Sequence, residues 1–309
     1  MRNKLVVVGS LNMDFVVTVE HLPAPGETVL GRDFQMIPGG KGANQACAAG
    51  KLAGSQTAVK MIGRAGYDAF ADHLKASLSA AGVDVSGVHA SRSQPTGVAL
   101  IWVDAQGRNS IVVASGANME LAAADMESFR KDFQNARAAL FQLESPLATV
   151  ERALLLAREE GVVTILDPAP ARPLASEILA MVDILTPNES EALMLLGKSA
   201  GEVDASDAPA VARAVLALGP KAVILKLGEK GCFYSDGTKA IHSPGFKVTA
   251  VDTTAAGDTF NAAFAVALSE SRAIEDALRF ANAAAAISVT RMGAQASVPT
   301  REKVDRFLK

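Results

Sequence analysis

The chain has 309 residues, enough for one large domain, for one domain with an appendage, or for two domains of average size. With 49% hydrophobic and 20% charged residues it can bury a substantial core, which excludes a disordered chain. Thirty Lys and Arg against 33 Asp and Glu give a net charge of −3, and the lack of a basic excess counts against nucleic-acid binding as the main activity.

Met1-Arg2-Asn3-Lys4 ahead of Leu5-Val6-Val7-Val8 has the outline of a signal peptide. The apolar run stops at Gly9-Ser10, meets Asp14 soon after and lacks a cleavage pattern, so a buried first strand at Leu5–Val8 is expected. Phe15–Val19 through about Met36 then alternates around a turn at Pro23-Ala24-Pro25-Gly26. A helix over Ala43–Ala53, a strand over Ala58–Ile62 and a helix over Ala69–Ala81 follow. A second alternating pair runs from Gly97–Val103 to Ile111–Val113, turning at Asp104-Ala105-Gln106-Gly107.

The next third repeats strand and helix. Strands are expected at Ala138–Leu143, Val163–Leu166, Ile184–Thr186 and Ala222–Leu227, and helices at Leu147–Glu160, Glu189–Leu196 and Ala208–Leu218. Gly228-Glu229-Lys230-Gly231 reads as a tight turn before Cys232–Tyr234. Two alanine-rich helices, Asp258–Leu268 and Ile274–Thr290, suggest close helix packing. Runs without alternation are strands covered on both faces, so the rhythm predicts an α/β fold with a largely parallel sheet. The alternating segments would form a small antiparallel sheet, serving as a lid over a pocket or offering its edge to a second copy.

Cys47 and Cys232 stand alone and the four histidines have no ligand spacing. No disulfide framework or zinc site is expected, and a reducing cytoplasm suits such a chain. No apolar run approaches the ~18 residues of a membrane span.

Both common nucleotide fingerprints are absent. Only Gly9 follows the first strand where G-x-G-x-x-G would stand, and Lys41 in Gly39-Gly40-Lys41-Gly42 is followed by no Ser or Thr. Two other segments carry ligand chemistry. Pro38-Gly39-Gly40-Lys41-Gly42-Ala43-Asn44-Gln45 joins three glycines to a cation, an amide and a helix start. Val251-Asp252-Thr253-Thr254-Ala255-Ala256-Gly257-Asp258-Thr259-Phe260 converges backbone N–H groups on a helix N-terminus beside an acid, a geometry suited to a phosphoryl group in flight. Asp258 could be an ordinary first-turn acid. Its place against an anion nest favours proton transfer instead. Asn12, Asp14, Glu144, Asn188 and Glu191 fall at strand ends, where open α/β sheets bind ligands. Asn188-x-x-Glu191 is also a helix-cap pattern.

Together these segments resemble the ribokinase-like (PfkB) carbohydrate kinases, and within them the ribokinase branch. The resemblance runs from Val8-Gly9-Ser10-Leu11-Asn12-Met13-Asp14 to Gly293-Ala294-Gln295-Ala296-Ser297-Val298-Pro299. The Gly-Gly-Lys-Gly form, Gln142-Leu143-Glu144-Ser145-Pro146, Asp167-Pro168-Ala169-Pro170-Ala171-Arg172 and Thr186-Pro187-Asn188-Glu189 add to it. It implies a Rossmann-like α/β/α domain (1–13, 38–96 and 115–309) with a β-sheet lid (14–37 and 97–114) that pairs two copies into a homodimer. It implies ATP-dependent phosphorylation of D-ribose at O5.

By the same resemblance, Asn12, Asp14, Gly40, Lys41, Gly42, Asn44 and Glu144 would hold the sugar. Asp258 would take the alcohol proton, and Ala255, Ala256 and Gly257 would form the anion hole. Asn188 and Glu191 would serve the phosphate and Mg2+ side, with Glu191 acting on the metal indirectly. Lys226, Gly228, Gly231, Gly257 and Asn282 would border the nucleotide. K+ would sit near Asp252, Thr254, Ser288, Arg291, Gly293 and Ser297. The sequence departs from that pattern at Lys226, where a small hydroxyl residue is expected, and at Asn282, where histidine also occurs. Other readings are a kinase of the same fold for 2-deoxyribose, another sugar or a nucleoside, a non-catalytic sugar sensor, and more distantly a nicotinamide oxidoreductase.

Overall fold

The structure is a computed structural model describing residues 3–55 and 57–309; Met1 and Arg2 of the N-terminal stretch, and Gln56, lie outside the described residues. β1 (Lys4–Val8) turns Leu5 and Val7 to one face and Val6 and Val8 to the other, all buried. β2 (Asn12–Thr18) and β3 (Arg32–Gly39) form a hairpin, followed by α1 (Lys41–Leu52), β4 (Ala58–Gly66), α2 (Ala69–Ala80) and β5 (Val83–Ser91). A second hairpin, β6 (Gly97–Val103) and β7 (Asn109–Ala114), leads through 3-10 turns to α3 (Arg130–Gln134) and β8 (Ala136–Phe141).

Next come α4 (Leu147–Glu159), β9 (Val163–Leu166), α5 (Ser176–Leu179) and β10 (Ile184–Leu185). They are followed by α6 (Glu189–Leu195), α7 (Ala208–Leu216), β11 (Ala222–Lys226), β12 (Cys232–Ser235) and β13 (Ala240–Ser243). Four helices close the chain: α8 (Ala256–Ser269), α9 (Ile274–Ser288), α10 (Ala294–Ser297) and α11 (Arg301–Phe307).

Among the described residues nine strands make the central sheet, in the order β13-β12-β11-β10-β9-β8-β1-β4-β5. From β5 to β11 all neighbours are parallel, and β12 and β13 run antiparallel at one edge. This is the expected fold. Helices α1, α2, α8 and α9 cover one face, and α4, α6 and α7 the other, giving one apolar core on each side. Each fully buried Leu, Val or Phe contributes roughly 1.5–3 kcal/mol. The sheet order turns back at β1, which lies between β8 and β4, and the crevice beyond the strand ends at such a reversal is where α/β sheets receive ligands.

The second sheet has the order β3-β2-β6-β7. Each hairpin is antiparallel, and their inner strands β2 and β6 pair in parallel from Asn12↔Gly97 to Thr18↔Val103. Met36, Phe15, Leu100 and Val112 align across all four strands on one face. The next row, Ile37, Asp14, Ala99 and Val113, takes the other face by the period of two, so this sheet delivers Asp14.

β5 and β13 were not anticipated from the sequence. Both are sheet edges, and their polar residues (Asp84, Ser86 and His89; His242 and Ser243) mask the apolar signal. The first helix begins at Lys41, ahead of the expected Ala43, because Gly40 makes the turn alone.

Candidate active site

The start of α1 is pressed against the turn that leaves β1. Gly40 has φ +86°, and a Cβ there would lie 2.7 Å from the backbone nitrogen of Asn12, so only glycine fits. Glu144, just beyond β8, caps this helix: its Oε2 accepts from the Lys41 N–H at 3.0 Å and from Ser10 Oγ at 2.5 Å. The Gly42 N–H donates to the same Ser10 Oγ at 3.4 Å. Asn118 clamps the Leu11 backbone through both ends of its amide and donates to Asn12 Oδ1 at 2.8 Å. The Asn12 side-chain amide is thereby fixed.

The small side chains of α8 and α9 explain the second half of the site. Ala262, Ala263, Ala265, Ala277, Ala281 and Ala284 are all buried, so α8 sits deep between α1 and α9. That contact sets the first turns of α1 and α8 together. Asn44 Nδ2 donates to Asp258 Oδ2 at 3.1 Å, and Gln45 Nε2 donates to Asp258 Oδ1 at 3.0 Å. Gln45 Nε2 also donates to Asp167 Oδ2 at 3.1 Å, while Gln142 Nε2 donates to Gln45 Oε1 at 2.7 Å. Lys226 Nζ completes the chain on Asp167 Oδ1 at 3.0 Å.

Electrostatics follow from this crowding. Burial pushes Asp258 up to about 6; Lys41 opposes the shift and Asp167 adds to it. Asp14 is pushed up to about 7, by burial first and then by the Glu144 and Asp258 carboxylates. Asp14, on the second sheet, therefore faces the same small volume as those two. Burial alone would lower Lys41, but Asp258, Asp167, Glu144 and Glu191 outweigh it and hold the ammonium firmly charged. Glu191 is raised by burial, with Lys226 opposing.

Ala255, which precedes α8, takes a left-handed conformation (φ +57°), an uncommon one for a residue with a Cβ. The Ala256 N–H is bonded to Thr253 O at 3.2 Å, so the helix start closes its own first turn at that donor. The N–H groups of Ala255 and Gly257 meet no protein acceptor among the described residues. Of the three expected anion-hole donors, these two remain open.

Two adjoining cavities reach this point. One of about 420 Å³ is lined by Lys41, Asp167, Asn188, Glu191, Lys226, Ala255, Gly257 and Asp258. The other, of about 670 Å³, runs past Gly228, Gly231, Phe246, Val248, Asn282 and Val289, with largely apolar walls suited to a flat base. Lys226, Gly228, Thr253, Ala256 and Gly257 line both. Asn188 and Glu191 form a full capping box at α6, with bonds of 2.7 and 2.8 Å, so both the cap and the ligand reading apply. Asn282 turns its amide NH2 to Ser243 O and Oγ, both at 3.0 Å, and to Pro244 O at 3.3 Å, which fixes the loop flooring the larger cavity.

The two inferred metals differ in fit. Among the described residues no three His, Cys, Asp or Glu are placed so that they could hold a metal ion together, so no closed divalent cage is preformed. The acids facing the smaller cavity suit a magnesium ion arriving on phosphates and keeping its waters. At the α9 end, Asp252 accepts from the Thr254 and Gly293 N–H groups at 2.8 Å each. Burial opposes but does not prevent these bonds from keeping its carboxylate below the usual range. Ser288 and Ser297 donate to carbonyls of their own helices, and Arg291 contributes its N–H to Ser288 O at 3.3 Å. One carboxylate among neutral oxygens fits a weakly held monovalent cation.

Gln45, Gln142 and Asp167 stand inside motifs visible in the sequence, but their joint role was not. Asp167 directly follows β9, and the strand-end rule that selected Asp14 and Glu144 would also have selected it.

A helix start with open donors, a buried acid beside it and a polar nest next to a small sheet suit phosphoryl transfer to a hydroxylated acceptor. The model of the pfkB family carbohydrate kinases matches residues 2–301, and the chain belongs to that family. It is 44% identical to the ribokinase of Bacillus subtilis over all of both chains. It is 35% identical to the deoxyribokinase of Salmonella typhi, covering 98% of each. The Arabidopsis thaliana ribokinase structure with ribose and ATP superimposes with a TM-score of 0.90 at 37% identity, covering 100% of this chain and 99% of that one.

Proposed function

We propose that this protein is an ATP-dependent kinase of D-ribose that transfers the γ-phosphoryl group to O5, giving ribose 5-phosphate. The observation that carries this is the meeting of Asp258, the open Gly257 N–H and Lys41 in the smaller cavity, which joins the larger one at Gly257, under the Asp14 row of the lid. Asn12, Asp14, Asn44, Glu144 and the Gly40–Gly42 turn hold the sugar hydroxyls. Each buried hydroxyl left unpaired would cost about 1–3 kcal/mol, so the nest is polar throughout.

Asp258 orients the primary hydroxyl and accepts its proton as the bond to phosphorus forms. An acid pushed up to about 6 is better matched to that task near neutrality than an ordinary carboxylate. The N–H groups of Ala255 and Gly257 stabilise charge on the phosphoryl oxygens, and Lys41 bridges the sugar and phosphate sides. Magnesium, when bound near Asn188 and Glu191, neutralises phosphate charge; potassium, when bound at Asp252, stiffens the loop ahead of α8.

Residues 14–37 and 97–114 act as a lid on the remaining kinase domain and exclude water, which competes as acceptor. The lid leaves Phe34, Met36, Leu100 and Val112 exposed on the face away from Asp14, and a second copy covers this row in a homodimer. Among the described residues no helix is long and apolar enough to cross a membrane, and the free thiols of Cys47 and Cys232 suit the cytoplasm.

The deoxyribokinase similarity favours one second reading, with 2-deoxyribose as acceptor. Comparing kcat/KM for the two sugars separates them. A nest that hydrogen-bonds the 2-hydroxyl prefers ribose by about a hundredfold or more, whereas equal values or a deoxyribose preference select the second reading.

A further inference from the structure

Lys226 ends β11 with its backbone N–H on Pro187 O at 2.9 Å, and its side chain turns inward to the junction of the two cavities. Its ammonium lies 3.3 Å from where a Cβ on Gly257 would stand, beside the open N–H of that residue. Asp167 Oδ1 holds it at 3.0 Å, and the other Asp167 oxygen is anchored through Gln45 to Gln142. Both partners are largely buried, with side-chain exposures of 13% and 5%. Such a pair loses hydration on both charges. Around it the smaller cavity also carries Glu189, Glu191 and Asp258, with only Lys41 as a second cation. A triphosphate entering this acidic space needs positive charge that can move onto it.

We propose that Lys226 is a catalytic cation of the phosphoryl transfer, and that Asp167 is the positioning residue that holds it beside Gly257 until nucleotide arrives. This rests on the kinase reading above. The ammonium has three donors, so it turns one toward a phosphate oxygen while Asp167 keeps another. Its place between the two cavities is where charge flows from the transferring group toward the departing nucleoside diphosphate, and a fixed cation there acts most strongly on a loose transition state.

The test compares K226M, K226R, D167N and the neutral pair D167N/K226M with the natural protein, using steady-state kinetics with MgATP and ribose and calorimetry with MgATP alone. K226M lowers kcat about a hundredfold with the ribose KM within about twofold, and weakens MgATP binding about tenfold. K226R recovers most of the loss. D167N splits the parameters: MgATP binds more tightly because a competing carboxylate is gone, yet kcat falls about tenfold because the lysine is no longer held.

The proposal is overturned if K226M keeps its kcat or its MgATP affinity, if K226R recovers nothing, or if D167N loses affinity and turnover together. The double variant leaves no unpaired buried carboxylate, so its full activity would also overturn the proposal. A natural protein that binds MgATP but phosphorylates neither sugar sinks the kinase reading, while the calorimetry of K226M still decides the lysine.

Discussion

Asp14 and Asp258 hold their protons to about 7 and about 6, far above the 3.8 of a free aspartate, and this works in opposite directions on activity and stability. Between pH ~4 and ~7 the folded chain keeps protons at these sites that the unfolded chain has released, so their contribution to stability falls as pH rises. The proposed mechanism uses Asp258 ionised as proton acceptor and Asp14 ionised as acceptor of a sugar hydroxyl, so activity is expected to rise across the same window. The acid limb of kcat/KM is therefore expected between pH 6 and 7. Replacing Asp14 by Asn should raise the melting temperature relative to the natural chain at pH 8 but not at pH 4. An equal effect at both pH values would contradict the raised Asp14. Asp258→Asn should lower kcat by about 10²–10⁴-fold while calorimetric ribose affinity stays within a few-fold; substantial residual turnover would remove Asp258 from the role of base.

The elements that carry the site meet through close backbone approach, and that contact is testable at α1. Gly40→Ala adds a Cβ 2.7 Å from Asn12 N at φ +86°, which pushes the helix start off the turn that holds Asn12 and Glu144. A loss of about 1–3 kcal/mol in stability, with a sharp drop in turnover, is expected. Gly26→Ala is the control. Its φ is +85° but nothing lies within 4 Å of the added atom, so it carries the backbone cost alone and leaves turnover intact. Equal effects of the two would show that α1 does not depend on this contact.

The same elements show what the sequence could reveal. β1, β4, β8, β9 and β11 each carry a buried apolar run and stood out at once, whereas the edge strands β5 and β13 did not. Asp14, Glu144 and Asp258 were legible as acids at strand ends and helix starts. The bridge from Asp167 through Gln45 to Asp258 is made of two bonds that each span more than a hundred positions, and only the meeting of α1 with α8 and with the end of β9 creates it. Lys226 was legible only as a departure from the expected small hydroxyl residue; its hold on Asp167 appears only in the folded chain.

At the scale of the whole molecule, the proposed function assigns the chemistry to the central sheet and the covering of the site to the second sheet. The Asp14 row of the second sheet faces Glu144 and Asp258, while the Phe15 row leaves Met36, Leu100 and Val112 exposed. If a second copy covers this row, Leu100→Lys with Val112→Lys should convert a dimer to a monomer in light scattering. A natural protein that is monomeric throughout would reject that arrangement.

The most direct measurement is phosphorus NMR of the product formed from MgATP and D-ribose, followed in time with potassium present and then replaced by tetramethylammonium. Ribose-dependent formation of a 5-phosphate ester and ADP, faster with potassium, is the expected result. ATP hydrolysis without a sugar ester, or no consumption of ATP with bound ribose, would contradict a ribose kinase.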